Sequence, residues 1–237
     1  MPIHLSIFRR HRSNLMAILS WRNSEKTFRV GTIYCLGRNY ADHAREMNSP
    51  TPEKPVVFIK PSSAVIGDGG TVEVPTLSGD VHHEVEMVVA IGRGGRNIPR
   101  DQAFTHVAGY AVGLDMTLRD VQSRAKKEGL PWTVAKGFAT SAPISTLVEK
   151  STVPSPQNLT IALAVNGRIR QKSSTSKMIF PIDDVVSYLS TIFVLEPGDL
   201  VFTGTPEGVG SVVPGDRLEA ELESVGTLRV GVSSCPS

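Results

Sequence analysis

The segment that most limits what this chain can fold into is His82-His83-Glu84-Val85-Glu86-Met87-Val88-Val89-Ala90-Ile91. Its second half is an apolar, β-branched run with the length of a buried strand. Residues two apart on a strand share a face, so Glu84 and Glu86 point the same way. Two carboxylates side by side next to an apolar run repel each other, and burying either without a partner is costly. A cation resolves that conflict. A third carboxylate, Asp115, ends the apolar run 109–114 where a helical pattern begins. Carboxylate oxygens with no thiolate among them favour a hard ion, Mg2+ first, with Mn2+ or Ca2+ as alternatives. Three monodentate ligands would leave about three octahedral positions for water and substrate. His82 falls on the glutamate face and is either a ligand or a packed neighbour, whereas His83 faces the other way. Spacing alone keeps open the alternative of a solvent-facing Glu-x-Glu pair that binds nothing.

The remainder reads as short strands punctuated by turns. Runs at 56–59, 72–74, 84–91, 109–115, 199–203, 217–222 and 227–232 are bounded by Gly, Pro, Ser or Asp. The runs 159–165 and 168–172 flank Asn166-Gly167, a pair suited to a type I′ hairpin turn. Four helices are expected. The first spans 40–47 with Asn39 as N-cap, and the second 101–107. The third spans 118–128 with Thr117 as cap and Gly129 beyond its end, and the fourth 182–193. The fourth sets Val185, Val186, Leu189, Ile192 and Phe193 on one face. These helices are too few and too unevenly spaced for alternating βαβ units, so the pattern predicts a β-rich α+β domain.

A length of 237 residues suits one domain. The formal net charge of +2 is too small to argue for a nucleic acid or membrane partner. No apolar run approaches the ~20 residues of a membrane-spanning helix. Cys35 lies in an apolar stretch and Cys235 near the end, which suggests no disulfide framework. The first 16 residues carry Arg9, Arg10 and Arg12 and no acid, a pattern shared by mitochondrial presequences and unstructured tails. The expected layout is an extension over 1–30 and a catalytic domain over 31–237. The compartment is cytoplasmic, or mitochondrial if that start is a presequence.

Four blocks carry a resemblance to a known family: GRNYADHAREM (37–47), HHEVE (82–86), LDMTLRDVQ (114–122) with KEGLPWTVAKGF (127–138), and FTGTPEGVG (202–210). With FIKPSSA (58–64) and SKMIF (176–180), they extend from about residue 31 to the C-terminus. In this order the chain resembles the fumarylacetoacetate hydrolase family, in particular its short acylpyruvase and oxaloacetate decarboxylase members. The resemblance implies a mixed-sheet β-roll, a homodimer, and Mg2+ or Mn2+ held by Glu84, Glu86 and Asp115. It also implies Lys136, Gln122 and Thr205 at the substrate, with His43 and Glu46 as a catalytic pair on a lid helix.

Each assignment has a plainer alternative. A His-x-x-Glu pair on a helix is usually a surface contact, Lys136 could be a surface lysine, and the loop around Thr205 could be a tight strand connection lacking a P-loop ending. Arg38 and Arg119 either reach an anionic substrate or serve as structural ion-pair partners. Gly92-Arg93-Gly94-Gly95 reads as a turn. A 2-oxo acid chelates a divalent ion through its carboxylate and carbonyl, and the ion acts as a Lewis acid. The expected activity is hydrolysis of 3-acylpyruvates such as acetylpyruvate or fumarylpyruvate, releasing pyruvate as its enolate. Oxaloacetate decarboxylation or keto–enol tautomerisation is the nearest rival, and a non-catalytic metal-stabilised binding protein is a rival of another class.

Overall fold

A computed structural model describes residues 17–47 and 49–235. Its centre is a six-stranded mixed sheet in the order Val148–Glu149, Val107–Leu114, Val85–Ile91, Leu200–Phe202, Ile33–Gly37 and Val56–Lys60. Leu200–Phe202 runs parallel to Ile33–Gly37 and antiparallel to Val85–Ile91. A five-stranded sheet follows the order Arg168–Ser174, Thr160–Val165, Arg217–Leu222, Gly226–Ser234 and Thr71–Val74. The expected β-rich α+β architecture of mixed sheets is the one that forms.

Strand parity explains both the core and the site. Along Val85–Ile91, Val85, Met87, Val89 and Ile91 enter the large core, where they meet Ile161, Leu163, Leu218, Ala220 and Leu228 of the five-stranded sheet. The alternate residues Val88 and Ala90 face a second core with Cys35, Ala111 and Phe202. Glu84 and Glu86 continue that second row, so one face of the sheet passes from apolar packing into the acidic cluster. Leu19 and Phe28, from the hairpin of Ile18–Ser20 and Thr27–Arg29, pack on the same core. Thus residues 17–30, grouped with the N-terminal extension in the sequence reading, include a hairpin docked on the domain. The arginine-rich stretch 1–16 lies outside the described residues.

Other expectations are met or corrected locally. Asn166 and Gly167 take φ of 51° and 76° between the paired strands, as a type I′ turn requires. The second helix is a 3-10 turn, Arg100–Gln102, continued by Ala103–His106. The third is Arg119–Glu128, ended by Gly129 at φ 69°, but Thr117 does not cap it. Asn39 does not cap Ala41–Glu46 either. Both side chains bond instead to partners inside the protein, Asn39 to Phe180 and Thr203 and Thr117 to Asp115 and Lys136. The fourth helix, Ile182–Ile192, buries Val185, Val186 and Leu189, whereas Ile192 at its C-terminal end is exposed. No helix among the described residues is long and apolar enough to cross a membrane.

Gly109 shows how tightly the sheet edge is built. A Cβ there would land on the Val148 carbonyl oxygen and within 2.6 Å of the Trp21 ring. Gly109→Ala is therefore expected to destabilise the protein by about 1–3 kcal/mol, read from the urea midpoint. An unchanged midpoint would show that this edge repacks freely.

Candidate active site

Three short strands, Thr117–Leu118, Val81–His83 and Gly210–Val212, form a small antiparallel sheet that joins three of the motif blocks. The chain breaks pairing at Glu84, where Asp115 N donates to the Glu84 carbonyl oxygen at 2.8 Å. That register brings the side chains of Glu84, Glu86 and Asp115 together on one face, with a ligand oxygen from each within 4.8 Å of the others. All three residues are buried.

Three cations answer these carboxylates. Lys136, on the short helix Thr133–Lys136, donates to Glu84 Oε2 at 2.8 Å, Asp115 Oδ2 at 2.6 Å and Thr117 Oγ1 at 2.7 Å. All three of its N–H donors therefore face protein oxygens. The Arg119 guanidinium pairs with Glu84 Oε1 and donates to Gln122 Oε1 at 2.7 Å. Lys60, which the sequence reading did not single out, is wholly buried. Its Nζ donates to Met116 O at 3.1 Å, Ser141 Oγ at 3.2 Å and the Lys136 carbonyl, and lies 2.7 Å from Asp115 Oδ1.

The compensation is uneven. Burial pushes the Glu84 carboxyl up, but Lys136 and Arg119 outweigh it and hold the group well below the usual carboxylate range. Burial and the neighbouring Asp115 and Glu84 carboxylates push Glu86 well above that range, with Gly204 N donating to its Oε2 at 2.6 Å. Asp115 Oδ1 has no aligned hydrogen-bond donor despite the nearby Lys60 ammonium. An all-oxygen donor set with one under-compensated carboxylate and one unbonded buried oxygen fits a hard divalent cation. Glu84, Glu86 and Asp115 could hold such an ion.

A histidine–glutamate pair lies beside this floor. His43 is buried on Ala41–Glu46, and its Nδ1 lies 3.3 Å from Glu46 Oε2. Both Glu46 oxygens accept from Gly208 N at 3.1 Å, which ties the pair to the glycine-rich loop. Asn39 anchors the same region: it donates to Thr203 O at 2.8 Å and Phe180 O at 3.0 Å, and accepts from Phe180 N at 2.7 Å. Three sequence blocks therefore converge on one buried amide. Gly204 lies so close to Asn39 that a Cβ would come within 2.6 Å of the Asn39 Cβ, and its φ of 95° suits glycine alone.

His43, Glu84, Glu86, Gln122, Lys136 and Thr205 line one cleft of about 390 Å³, counting its open mouth. Arg119, Gln122 and Lys126 stand at i, i+3 and i+7 on Arg119–Glu128 and present one face to the cleft. Thr205 Oγ1 accepts from Gln171 Nε2 at 2.9 Å, which leaves its own O–H for a ligand. Gln171 was not foreseen. It also accepts from His83 Nδ1 at 3.0 Å and Val85 N at 3.1 Å, so it clamps the glycine-rich loop to the acidic segment. His82 stands outside the carboxylate group, with Nε2 2.9 Å from Asp80 Oδ1 and Nδ1 accepting from Arg119. The Gly92–Gly95 stretch bonds to His106 and Leu195, away from the cleft.

This arrangement sets a buried acidic cluster that could hold a cation beside a histidine–carboxylate pair. Residues 32–233 match the family described as fumarylacetoacetate (FAA) hydrolase C-terminal, and the chain belongs to that family. It is 50% identical over 200 residues to the mitochondrial oxaloacetate tautomerase FAHD1 of Rattus norvegicus, covering 84% of this chain and 90% of that protein. Identity to the Homo sapiens protein of the same name is 48% over 193 residues, covering 81% and 87%. Among solved structures, fumarylpyruvate hydrolase from Pseudomonas aeruginosa, in complex with Mn2+ and pyruvate, superposes with a TM-score of 0.88 at 47% identity. That match covers 92% of this chain and 96% of the other.

Proposed function

We propose that this chain is a magnesium-dependent hydrolase of 3-acylpyruvates, with fumarylpyruvate as the type substrate. The observation that carries the reading is the position of His43 in the same cleft as Glu84 and Glu86. Its likeness to a fumarylpyruvate hydrolase whose structure holds Mn2+ and pyruvate supports it. A divalent ion held by Glu84, Glu86 and Asp115 supplies Lewis-acid polarisation of the 2-oxo group.

The protein groups perform the remaining work. Glu46 holds Nδ1 of His43, leaving Nε2 to take a proton from water. The water oxygen bonds to the acyl carbonyl carbon, and the adjacent C–C bond then breaks. Its electron pair passes to the pyruvate fragment as an enolate, which recovers a proton at C3 from His43. Lys136 provides positive charge beside the 2-oxo oxygen. Thr205 and Gln122 orient the substrate carboxylate.

The 50% identity to an oxaloacetate tautomerase favours a second reading. Here His43 moves a proton at C3 of oxaloacetate, and no bond to water forms. The deciding experiment incubates EDTA-treated and Mg2+-replenished protein with fumarylpyruvate and with oxaloacetate, following fumarate, pyruvate and the enol absorbance. Mg2+-dependent release of both fumarate and pyruvate supports hydrolysis. Loss of the enol signal alone supports the tautomerase, and no change with either substrate overturns both.

A further inference from the structure

At and beneath the cleft floor, Glu84, Glu86 and Asp115 are matched by three buried cations, Lys60, Lys136 and Arg119. A divalent ion would add two positive charges, and the single carboxylate of a 2-oxo acid cancels one of them. Two further cations, Arg38 and Lys126, line the same cleft. Neither forms an ion pair among the described residues. Arg38 Nε is buried without a hydrogen-bond partner.

Arg38 is also held in an unfavourable backbone state. Its φ of 60° lies in the left-handed region, which side chains other than Asn and Asp avoid. The neighbouring Asn39 fixes that turn through its bonds to Phe180 and Thr203. Such conformations persist where the surroundings impose them, often at ligand clamps. Trp132 joins the two cations into one wall. Lys126 Nζ lies 5.1 Å from its ring centroid, and a Cβ on Gly37, next to Arg38, would contact the ring at 3.5 Å.

We propose that Arg38, backed by Lys126, holds the distal carboxylate of a dicarboxylic 2-oxo acid and so makes dianions the preferred substrates. This rests on the functional reading above, which sets the first carboxylate and the 2-oxo group by the acidic triad. A guanidinium with an unused buried N–H gains a charge-assisted bond from a second carboxylate. Acetylpyruvate, a monoanion, offers no such group.

The test compares kcat/KM for fumarylpyruvate and acetylpyruvate in the Mg2+-loaded protein. Arg38→Asn removes the charge while keeping a residue that tolerates φ near 60°. The dianion-to-monoanion ratio should fall about tenfold in this variant. It should fall about threefold in Lys126→Gln, whose wild-type side chain is exposed, and recover in part in Arg38→Lys. Calorimetric titration provides a second arm with two 2-oxo acids that contain no acylpyruvate C–C bond, 2-oxoglutarate and 2-oxobutyrate. The unaltered protein should bind the dianion about tenfold more tightly, and Arg38→Asn should erase that preference. Equal losses on both substrates, or an unchanged ratio, overturn the proposal. If the unaltered protein turns over neither acylpyruvate, the functional reading fails while the titration still decides the clamp. Should Arg38→Asn fail to fold, the Lys126→Gln ratio decides alone.

Discussion

Replacing His43 with alanine is expected to lower kcat on fumarylpyruvate by about 10²–10⁴-fold, the usual contribution of a positioned acid–base group. The ring is almost fully enclosed, and its Nδ1 is committed to Glu46, which in turn is held by Gly208 N. Orientation thus passes from the glycine-rich loop through a carboxylate to the imidazole. Alanine favours a helix and removes no acidic ligand, so the fold and the cation site should survive. A stopped-flow assay beside a thermal melt separates these effects. Wild-type kcat in a folded His43→Ala protein would remove the histidine from the mechanism.

Lys60→Met is expected to destabilise the protein by about 3–5 kcal/mol, because it strips a buried carboxylate of one of its charge partners. Met fills similar space, so the loss reports charge and hydrogen bonding rather than a void. Asp115 would keep Lys136 at 2.6 Å, but the Met116 and Lys136 carbonyls and Ser141 Oγ would lose their shared donor. Added Mg2+ should restore part of the stability, since an ion that binds only the folded state shifts the equilibrium toward it. Urea denaturation with and without Mg2+ checks both points. A loss under about 1 kcal/mol would mean that water takes over for the ammonium.

The acidic floor was legible because parity is a local property. Two residues apart on a strand means one face, and the next strand's register delivers Asp115 opposite Glu84. The Asn-Gly hairpin was legible for the same reason, since the turn needs only its two residues. Side chains whose partners are remote in sequence were not. Asn39 looked like a helix cap, yet its bonds run to residues 141 and 164 positions away. Thr117 also resembled a cap but turns inward to Lys136. Lys60 ends an apolar strand, and its charge on the buried face was a signal the periodicity offered. Gln171 carried no such mark, because a glutamine in a hairpin strand ordinarily faces water. The N-terminal hairpin was hidden by its two three-residue strands, too short to show alternation.

The most direct measurement is a Mn2+ titration of the EDTA-treated protein, following the electron paramagnetic resonance signal of the free ion, for the unaltered chain and for Glu86→Gln. Glutamine keeps the shape of Glu86 and removes a charge that burial and two neighbouring carboxylates oppose, so the metal-free variant should melt no lower than the parent. The account predicts one tightly bound Mn2+ per unaltered chain, with that stoichiometric binding lost in Glu86→Gln. Absence of binding by the unaltered chain, or equal binding by both, would contradict it.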